Sequence, residues 1–190
     1  MVSIRFIVTT GLVIAATPAW AHTGTGLASG LGSGFIHPFH GPDHLLAMLM
    51  VGLLAALLGG QARWAIPASF LAMMLVGGGL GLAGLAVPAA ETGILASIVV
   101  LGAVLAWGQS LPAGVAMMLA GFFAVFHGYA HGAELPAGAS AVSYTLGFCL
   151  ATAALHVTGL VAGGVAFASP KVIRLAGAAV VVAGVAAAVS

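Results

Sequence analysis

Two short stretches of this chain hold most of its histidines, and each stretch also contains a carboxylate. The first, residues 37–44, reads HPFHGPDH and has three imidazoles and one carboxylate. In the second, His127, His131 and Glu134 are spaced i, i+4 and i+7, so they share one face if the segment is helical. Imidazole nitrogens mixed with carboxylate oxygens suit Ni, Co, Zn or Cu(II). These residues therefore indicate a site for a divalent transition metal.

The elements that must position these residues are membrane helices. Of the 190 residues, 62% are hydrophobic and 4% are charged, against roughly 25% charged in an ordinary soluble domain. The mean hydropathy is +1.24, and the apolar residues form long blocks between short breaks, as in membrane-spanning helices. The net charge of +1 is too small for a phosphate-binding surface, so nucleic acid is not an expected partner. The predicted fold class is an all-α, polytopic transmembrane helical bundle.

The backbone of the first stretch departs from a regular helix, because Pro38, Gly41 and Pro42 interrupt it. Pro42 is suited to the first position of a helix, so Asp43 and His44 are expected in the first turn, where the helix dipole favours a carboxylate anion. Irregular backbone at membrane depth is tolerated only where protein or a water-filled cavity satisfies its polar groups. We therefore expect a histidine-lined cavity at this break.

The amino-terminal segment has the features of a secretory signal peptide. Arg5 precedes an apolar stretch at 6–16, and the segment ends with an A-x-A cleavage pattern at 19–21. The apolar stretch is shorter than the roughly 20 residues that span a bilayer, although an uncleaved first helix remains the alternative. We predict a signal peptide at 1–21 and a single transmembrane domain at 22–190.

Six membrane spans are predicted after this leader, at 43–59, 65–87, 93–110, 113–131, 140–167 and 171–189. The stretch from Thr23 to Ile36 is apolar but rich in glycine, and it is too short to cross alone at about 1.5 Å per residue. We expect it to be a broken, partial helix that packs against the bundle before the first span. Glycines four residues apart, which allow helix backbones to approach closely, occur at Gly77/Gly81, Gly128/Gly132 and Gly159/Gly163.

The few charged residues predict an orientation. Cytoplasmic loops carry the excess of Lys and Arg, and the basic residues beyond the leader are Arg63, Lys171 and Arg174. A six-span count places both of their loops on one side, so the mature amino terminus is predicted in the periplasm and the protein in the bacterial inner membrane. The three acidic residues then face outward: Asp43 in the first span, Glu91 in the loop after the second, and Glu134 beyond the fourth.

Three further histidines are candidates for metal ligation. Cleavage of the leader would make His22 the new terminus, with both an amine and a ring for a metal. His40 lies inside the first stretch, and His156 lies near the middle of the fifth predicted span, where it is a candidate for a deeper ligand. Ionisable groups inside a membrane are costly and are functional candidates by default. The alternative for His40 or His156 is a helical histidine bonded to a backbone carbonyl.

These stretches resemble the HupE/UreJ family of bacterial membrane proteins, which is associated with nickel supply to hydrogenase and urease. The likeness rests on HPFHGPDHLLAMLMVG at 37–52 and on FHGYAHGAE at 126–134, and it extends to the leader, the span count and the length. The family motif leaves the position of His40 variable. The resemblance implies that metal passage requires two sets of residues: His37, Asp43 and His44, and His127, His131 and Glu134.

The site and the resemblance together predict a secondary transporter that takes up a divalent transition metal, Ni²⁺ or Co²⁺, for maturation of hydrogenase or urease. No G-x-x-x-x-G-K-[ST] motif is present, and the only lysine, Lys171, follows a Ser-Pro pair, so ATP is not expected to bind in a P-loop. The metal is cargo, so we expect no resident cofactor and no enzymatic activity. The expected partners are the metal ion, the lipid bilayer and metalloenzyme maturation proteins.

Two other functions are compatible with the same residues. Three His or Asp ligands with an open position for water would make a catalytic zinc site, in an intramembrane metal-dependent hydrolase with Glu134 as the general base. Alternatively, the protein would bind a metal in the membrane without conducting it.

Overall fold

The computed structural model describes residues 30–109, 111–166 and 169–189. These residues are helical and contain no strand, which confirms the predicted all-α class. The proposed leader at 1–21 and His22 lie outside the described residues, so signal-peptide cleavage and any role of His22 stay predictions. Within the described residues the α-helices are α1 (Leu31–Ile36), α2 (Pro42–Leu58), α3 (Ala62–Leu82), α4 (Ala90–Trp107), α5 (Ala113–Ala133), α6 (Ala141–Val161) and α7 (Pro170–Val189).

Five of these helices, α3 to α7, are long and apolar enough to cross a membrane. Helix α2 follows α1 and a 3₁₀ turn at a bend of 86°, and this bent pair makes a sixth span if it is taken as one unit. The prediction of about six spans with a broken segment before the first is therefore confirmed. Large apolar side chains on the outside of the bundle, such as Trp64, Met118 and Phe122, are more than half exposed. Lipid rather than water accounts for such a surface.

The break between α1 and α2 has the local causes expected from its sequence. His37–Phe39 forms the 3₁₀ turn, Gly41 adopts an extended conformation at φ −101° and ψ 112°, and Pro42 supplies the first residue of α2. Proline is favoured at this position because its missing N–H would have no helical partner. Asp43 consequently lies in the first turn of α2, as predicted.

Glycine faces make the closest contacts between helices. A Cβ atom at Gly128 would overlap the carbonyl of Met74, and one at Gly52 would overlap the carbonyl of His156. Small residues allow such backbone contact, which is a main source of helix association in lipid. All of the glycines predicted to pack closely lie against a neighbouring helix: Gly77, Gly81, Gly128, Gly132, Gly159 and Gly163.

The order of contacts along each helix pair establishes the helix directions. Helices α3 and α5 run parallel, as do α2 and α6, whereas α4 and α7 run antiparallel. For example, Nε of Arg174 near the start of α7 donates to the carbonyl of Ala106 near the end of α4, at 3.0 Å. These are the directions expected if successive spans alternate. The acidic end of the bundle carries Asp43, Glu91 and Glu134, and the opposite, basic end carries Arg63, Lys171 and Arg174.

Some predicted boundaries were wrong. The second span was predicted to reach residue 87, but α3 ends at Leu82, because Gly84 at φ +67° begins a turn. Glu91 was predicted in a loop, but it lies in the first turn of α4, where the helix dipole favours its negative charge. The predicted fifth span, 140–167, is α6 followed by a π-helical turn, Ala162–Ala166.

Candidate metal site

The two histidine-bearing stretches meet at the acidic end of the bundle. His44, in the first turn of α2, packs edge-on against His127 and His131 of α5, with ring centroids 4.9 and 4.4 Å apart. His37, in the 3₁₀ turn, packs edge-on against His131 with ring centroids 4.6 Å apart. These four imidazoles form one continuous group, which we call the histidine cluster.

Each carboxylate of the predicted site contacts a histidine of the cluster. Oε2 of Glu134 lies 3.6 Å from Nε2 of His37. Oδ1 of Asp43 accepts the backbone N–H of His44 at 2.9 Å and lies 3.1 Å from Nδ1 of the same residue. Because a carboxylate only accepts, Nδ1 of His44 donates and Nε2 keeps its lone pair. A carboxylate bonded to an imidazole in this way orients the ring as a metal ligand.

Exposure falls from the acidic end toward the interior of the cluster. The side chains of Glu134 and His37 are 40% and 29% exposed, and that of His44 is 13% exposed. His131 and His127 are buried. The cluster is therefore open to solvent at the acidic end and closed toward the middle of the bundle.

Several buried imidazole nitrogens have no protein partner. Nδ1 of His127 and both ring nitrogens of His131 are buried without a hydrogen bond to any described residue. A buried polar atom left unsatisfied costs roughly 1–3 kcal/mol, and such atoms in a native protein point to a bound water, an ion or a functional role. A cation bound to the imidazole lone pairs would satisfy these nitrogens.

The donors of the cluster are neighbours, but they do not converge on one point. Within the described part of the chain, no three His, Cys, Asp or Glu side chains are placed so that they could hold one metal ion together. Ligand nitrogens lie about 2.0–2.1 Å from a metal such as zinc, so the imidazoles would have to rotate about their side-chain torsions to share an ion. The donor types fit a divalent transition metal, and the assignment of ligands stays a prediction.

A cavity of about 140 Å³ adjoins the histidine cluster between α3, α5 and α6. Its lining includes His131, Tyr144, Phe148 and Gly128. The volume exceeds the roughly 10–15 Å³ of accessible space that is needed to hold one water molecule. His131 is the single histidine in this lining, and the cavity lies along α3, α5 and α6 rather than at the break before α2. The histidine-lined cavity expected at the break therefore stays a prediction.

A second buried histidine lies deeper in the bundle. His156 of α6 is buried, and neither of its ring nitrogens has a hydrogen-bond partner among the described residues, so a bond to a backbone carbonyl does not explain it. The ring of Phe70 packs against both His127 and His156, with centroids 5.8 and 5.1 Å away. One turn before His156, the hydroxyl of Thr152 donates to the sulfur of Met48 at 3.4 Å. Polar and thioether groups therefore continue inward from the cluster.

One candidate residue lies apart from the histidine cluster, and two residues that contact the cluster were missed by the sequence analysis. His40 ends the 3₁₀ turn as an exposed residue with no described contact to the cluster. Ser97 was not a candidate, yet its hydroxyl oxygen lies 3.0 Å from Nε2 of His127. Phe148 was also missed, and its ring centroid is 3.7 Å from that of His131. The only sequence signal that could have identified Ser97 was its position as a lone serine within an apolar run.

The fold and the cluster define a polytopic membrane protein with a polar site at one end of its helical bundle. Over residues 10–187 the chain matches the family described as HupE / UreJ protein. It is 43% identical to Protein HupE of Rhizobium leguminosarum bv. viciae over 182 residues, which cover 94% of this chain and 95% of that protein. The chain therefore belongs to the HupE/UreJ family, a transporter-type family associated with nickel and cobalt uptake. No solved structure matches it significantly.

Proposed function

We propose that this protein is a secondary transporter that takes up Ni²⁺, or Co²⁺, across the bacterial inner membrane for maturation of hydrogenase or urease. One observation carries the proposal: four imidazoles and two carboxylates from separate stretches of chain come together at one end of a membrane-spanning bundle. Membership of a transporter-type family supports it. The proposed metal-contacting residues are His37, Asp43, His44, His127, His131 and Glu134.

Capture begins at the exposed rim of the cluster. The carboxylates of Glu134 and Asp43 attract a hydrated cation from solvent, and His37 is the most exposed imidazole beside them. Imidazole nitrogens then replace water in the coordination shell, starting with His37 and His44 and continuing to the buried His131. Each step exchanges a water ligand for a nitrogen ligand, so the ion need not lose its whole shell at once.

Passage inward follows the buried polar groups of α6. His127 is the deepest imidazole of the cluster, and Phe70 stands between it and His156. Met48, Phe70 and Met74 are fully or almost fully buried beneath the cluster, and in the proposed mechanism these side chains close the inner side of the site. We assign His156 as the next ligand, which the cation reaches when these side chains move.

The membrane potential supplies the driving force without ATP. With the basic end in the cytoplasm, as the positive-inside rule favours, the histidine cluster faces the periplasm. An inside-negative potential contributes about 2.3 kcal/mol per elementary charge per 100 mV, and hence roughly 4.6 kcal/mol for a divalent ion. Facilitated uptake down this gradient requires no nucleotide-binding site in the chain.

The test is transport by the purified protein in sealed liposomes with an imposed inside-negative potential and radiolabelled nickel. We expect wild-type protein to accumulate nickel, unlabelled cobalt to compete, and His44→Ala to reduce accumulation to the level of protein-free liposomes. Nickel binding without accumulation would instead identify a metal-binding membrane protein. Turnover of a lipid or peptide without nickel flux would identify a hydrolase. Either of these two results would overturn the proposal.

A further inference from the structure

Among the residues that the structure describes, Ser97 is the only one whose hydroxyl bonds to the histidine cluster. It lies in the middle of α4, and both Ser97 and His127 are completely buried. The hydroxyl oxygen of Ser97 makes two close contacts: the carbonyl oxygen of Ile94 at 2.6 Å and Nε2 of His127 at 3.0 Å. No described residue bonds to the other ring nitrogen of His127, Nδ1.

The positions of the protons follow from these two contacts. A serine hydroxyl has one hydrogen to donate, and a carbonyl oxygen can only accept. At 2.6 Å the hydroxyl of Ser97 and the carbonyl of Ile94 must share a hydrogen, because 2.5–3.0 Å is the ordinary range for an O–H···O bond. The hydroxyl of Ser97 therefore donates to Ile94, and its oxygen accepts from the N–H at Nε2 of His127.

The tautomer of His127 determines which nitrogen is available to a metal. A neutral imidazole has one N–H and one lone pair, and the hydrogen bond made by one nitrogen decides the state of the other. With its proton on Nε2, His127 carries its lone pair on Nδ1, the buried atom that lacks a partner. Metal-ligating histidines usually donate their second ring N–H to a carboxylate, a backbone carbonyl or water, which orients the ring. The oxygen of Ser97 is the acceptor at the corresponding place beside His127.

We propose that Ser97 is a positioning residue that holds His127 in the Nε2–H tautomer and so makes Nδ1 the atom that binds the transported divalent cation. This inference rests on the proposed function, because it assigns a role within the same site. Asp43 has the corresponding effect on His44 from the other side of the cluster. Its carboxylate accepts from Nδ1 of His44, so the lone pair of Nε2 is available to a metal. Two neighbouring rings are thus set in opposite tautomers by two different acceptors.

The first test measures the tautomer in the wild-type protein without metal. Solid-state NMR of protein with isotope-labelled histidine, reconstituted in liposomes, distinguishes a protonated from an unprotonated ring nitrogen, and the His127 signals are those absent from His127→Gln. We expect Nε2 to be protonated and Nδ1 to be unprotonated. A wild-type His127 with its proton on Nδ1 would overturn the inference, whatever the behaviour of any Ser97 variant.

The second test compares variants that remove a hydroxyl. In Ser97→Ala the Nε2–H of His127 loses its acceptor, so we expect a changed or mixed tautomer and a Ni²⁺ affinity at least about tenfold weaker, the scale seen when an outer-shell partner is lost. Ser69→Ala is the control, because the hydroxyl of Ser69 lies 2.8 Å from the carbonyl of Ile66 in its own helix and 3.3 Å from the carbonyl of Met117 in α5, but contacts no described histidine. Ser97→Thr keeps the hydroxyl and is expected to restore the tautomer and the affinity.

The outcomes separate this inference from the proposed function. If Ser97→Ala binds Ni²⁺ like the wild type and keeps the Nε2–H tautomer, Ser97 is only a helix residue and the inference fails while transport stands. If the wild type shows the expected tautomer but transports no metal, the proposed function fails instead. If Ser97→Ala and Ser69→Ala lose Ni²⁺ affinity equally and the tautomer of His127 is unchanged, the effect is one of general packing. That result would overturn the positioning role of Ser97.

Discussion

His131 illustrates how a single residue depends on the others in this site. Its ring lies against those of His37, His44 and Phe148, yet neither of its nitrogens has a described hydrogen-bond partner. In water both nitrogens would be solvated, so their burial is unfavourable unless a ligand replaces the lost hydrogen bonds. A cation that enters between the rings provides such a replacement, since metal coordination uses the same lone pairs. The histidine cluster is therefore better suited to hold an ion than to stabilise the fold.

The partly buried His37 and the exposed His40 of the break offer a comparison at the residue scale. We expect His37→Gln to lower nickel uptake at limiting nickel by at least about tenfold, because the ring beside His131 and Glu134 is lost. His40→Gln, three residues away and exposed, is expected to transport like the wild type. The measurement is the initial rate of uptake in cells with matched expression. Equal effects of the two substitutions would contradict the assigned geometry.

Helix α5 positions its histidines by means of the glycines between and beside them. Gly128 and Gly132 follow His127 and His131 directly in the sequence, and successive residues of a helix point about 100° apart, since 3.6 residues make one turn. The glycines lie against the backbone of α3, so the histidines lie beside that contact and both rings meet His44 of α2. His127 also reaches Ser97 of α4, and His131 also reaches Phe148 of α6. The tight α3 and α5 contact thus fixes the rotation of α5 and the direction of its imidazoles.

A comparison of two glycines in α5 tests this role of the helix contact. A Cβ atom in Gly128→Ala would overlap the carbonyl of Met74, whereas one in Gly114→Ala would have no atom within 4 Å. Overpacking typically costs 1–3 kcal/mol, so we expect Gly128→Ala to lower the unfolding temperature in detergent and the yield of monodisperse protein. Gly114→Ala is expected to leave both unchanged or slightly raised, because alanine favours a helix by up to about 1 kcal/mol. Equal stability of the two variants would refute the argument.

The whole molecule is polarised along the axis of its bundle. All three carboxylates lie at one end and the basic residues of α3 and α7 lie at the other, while the sides between them are apolar and suited to lipid. The acidic end attracts cations and the basic end favours the cytoplasmic side. In the proposed function, the same few charges serve both the orientation of the protein and the capture of the cation.

The orientation can be measured with a membrane-impermeant maleimide on intact spheroplasts. In a Cys149→Ala background, we expect Ala137→Cys, in the exposed loop between α5 and α6, to be labelled from outside. Gln61→Cys, exposed between α2 and α3, is expected to react only after the membrane is permeabilised. Labelling of the second site and not the first in intact spheroplasts would mean that the histidine cluster faces the cytoplasm.

Composition and local chemistry alone determined the class of this protein and most of its elements. Apolar blocks of spanning length predicted the bundle, because a bilayer leaves the backbone few alternatives to a helix. Pro42 and Gly41 predicted the break before α2, since both act through local torsions and the first turn of a helix. The end of α3 was predicted less well, because the residues up to 87 are as apolar as those within the helix and only the turn at Gly84 ends it.

Tertiary structure decided what the histidines contact. The spacing of His127 and His131 showed that they share a face, but only the packing of α5 on α3 determines that this face meets His44. Ser97 was invisible as a functional residue, because its role depends on α4 lying beside α5 at the level of His127. Residues far apart in sequence become partners only when helices pack, and packing depends on the whole surface of each helix rather than on any local pattern.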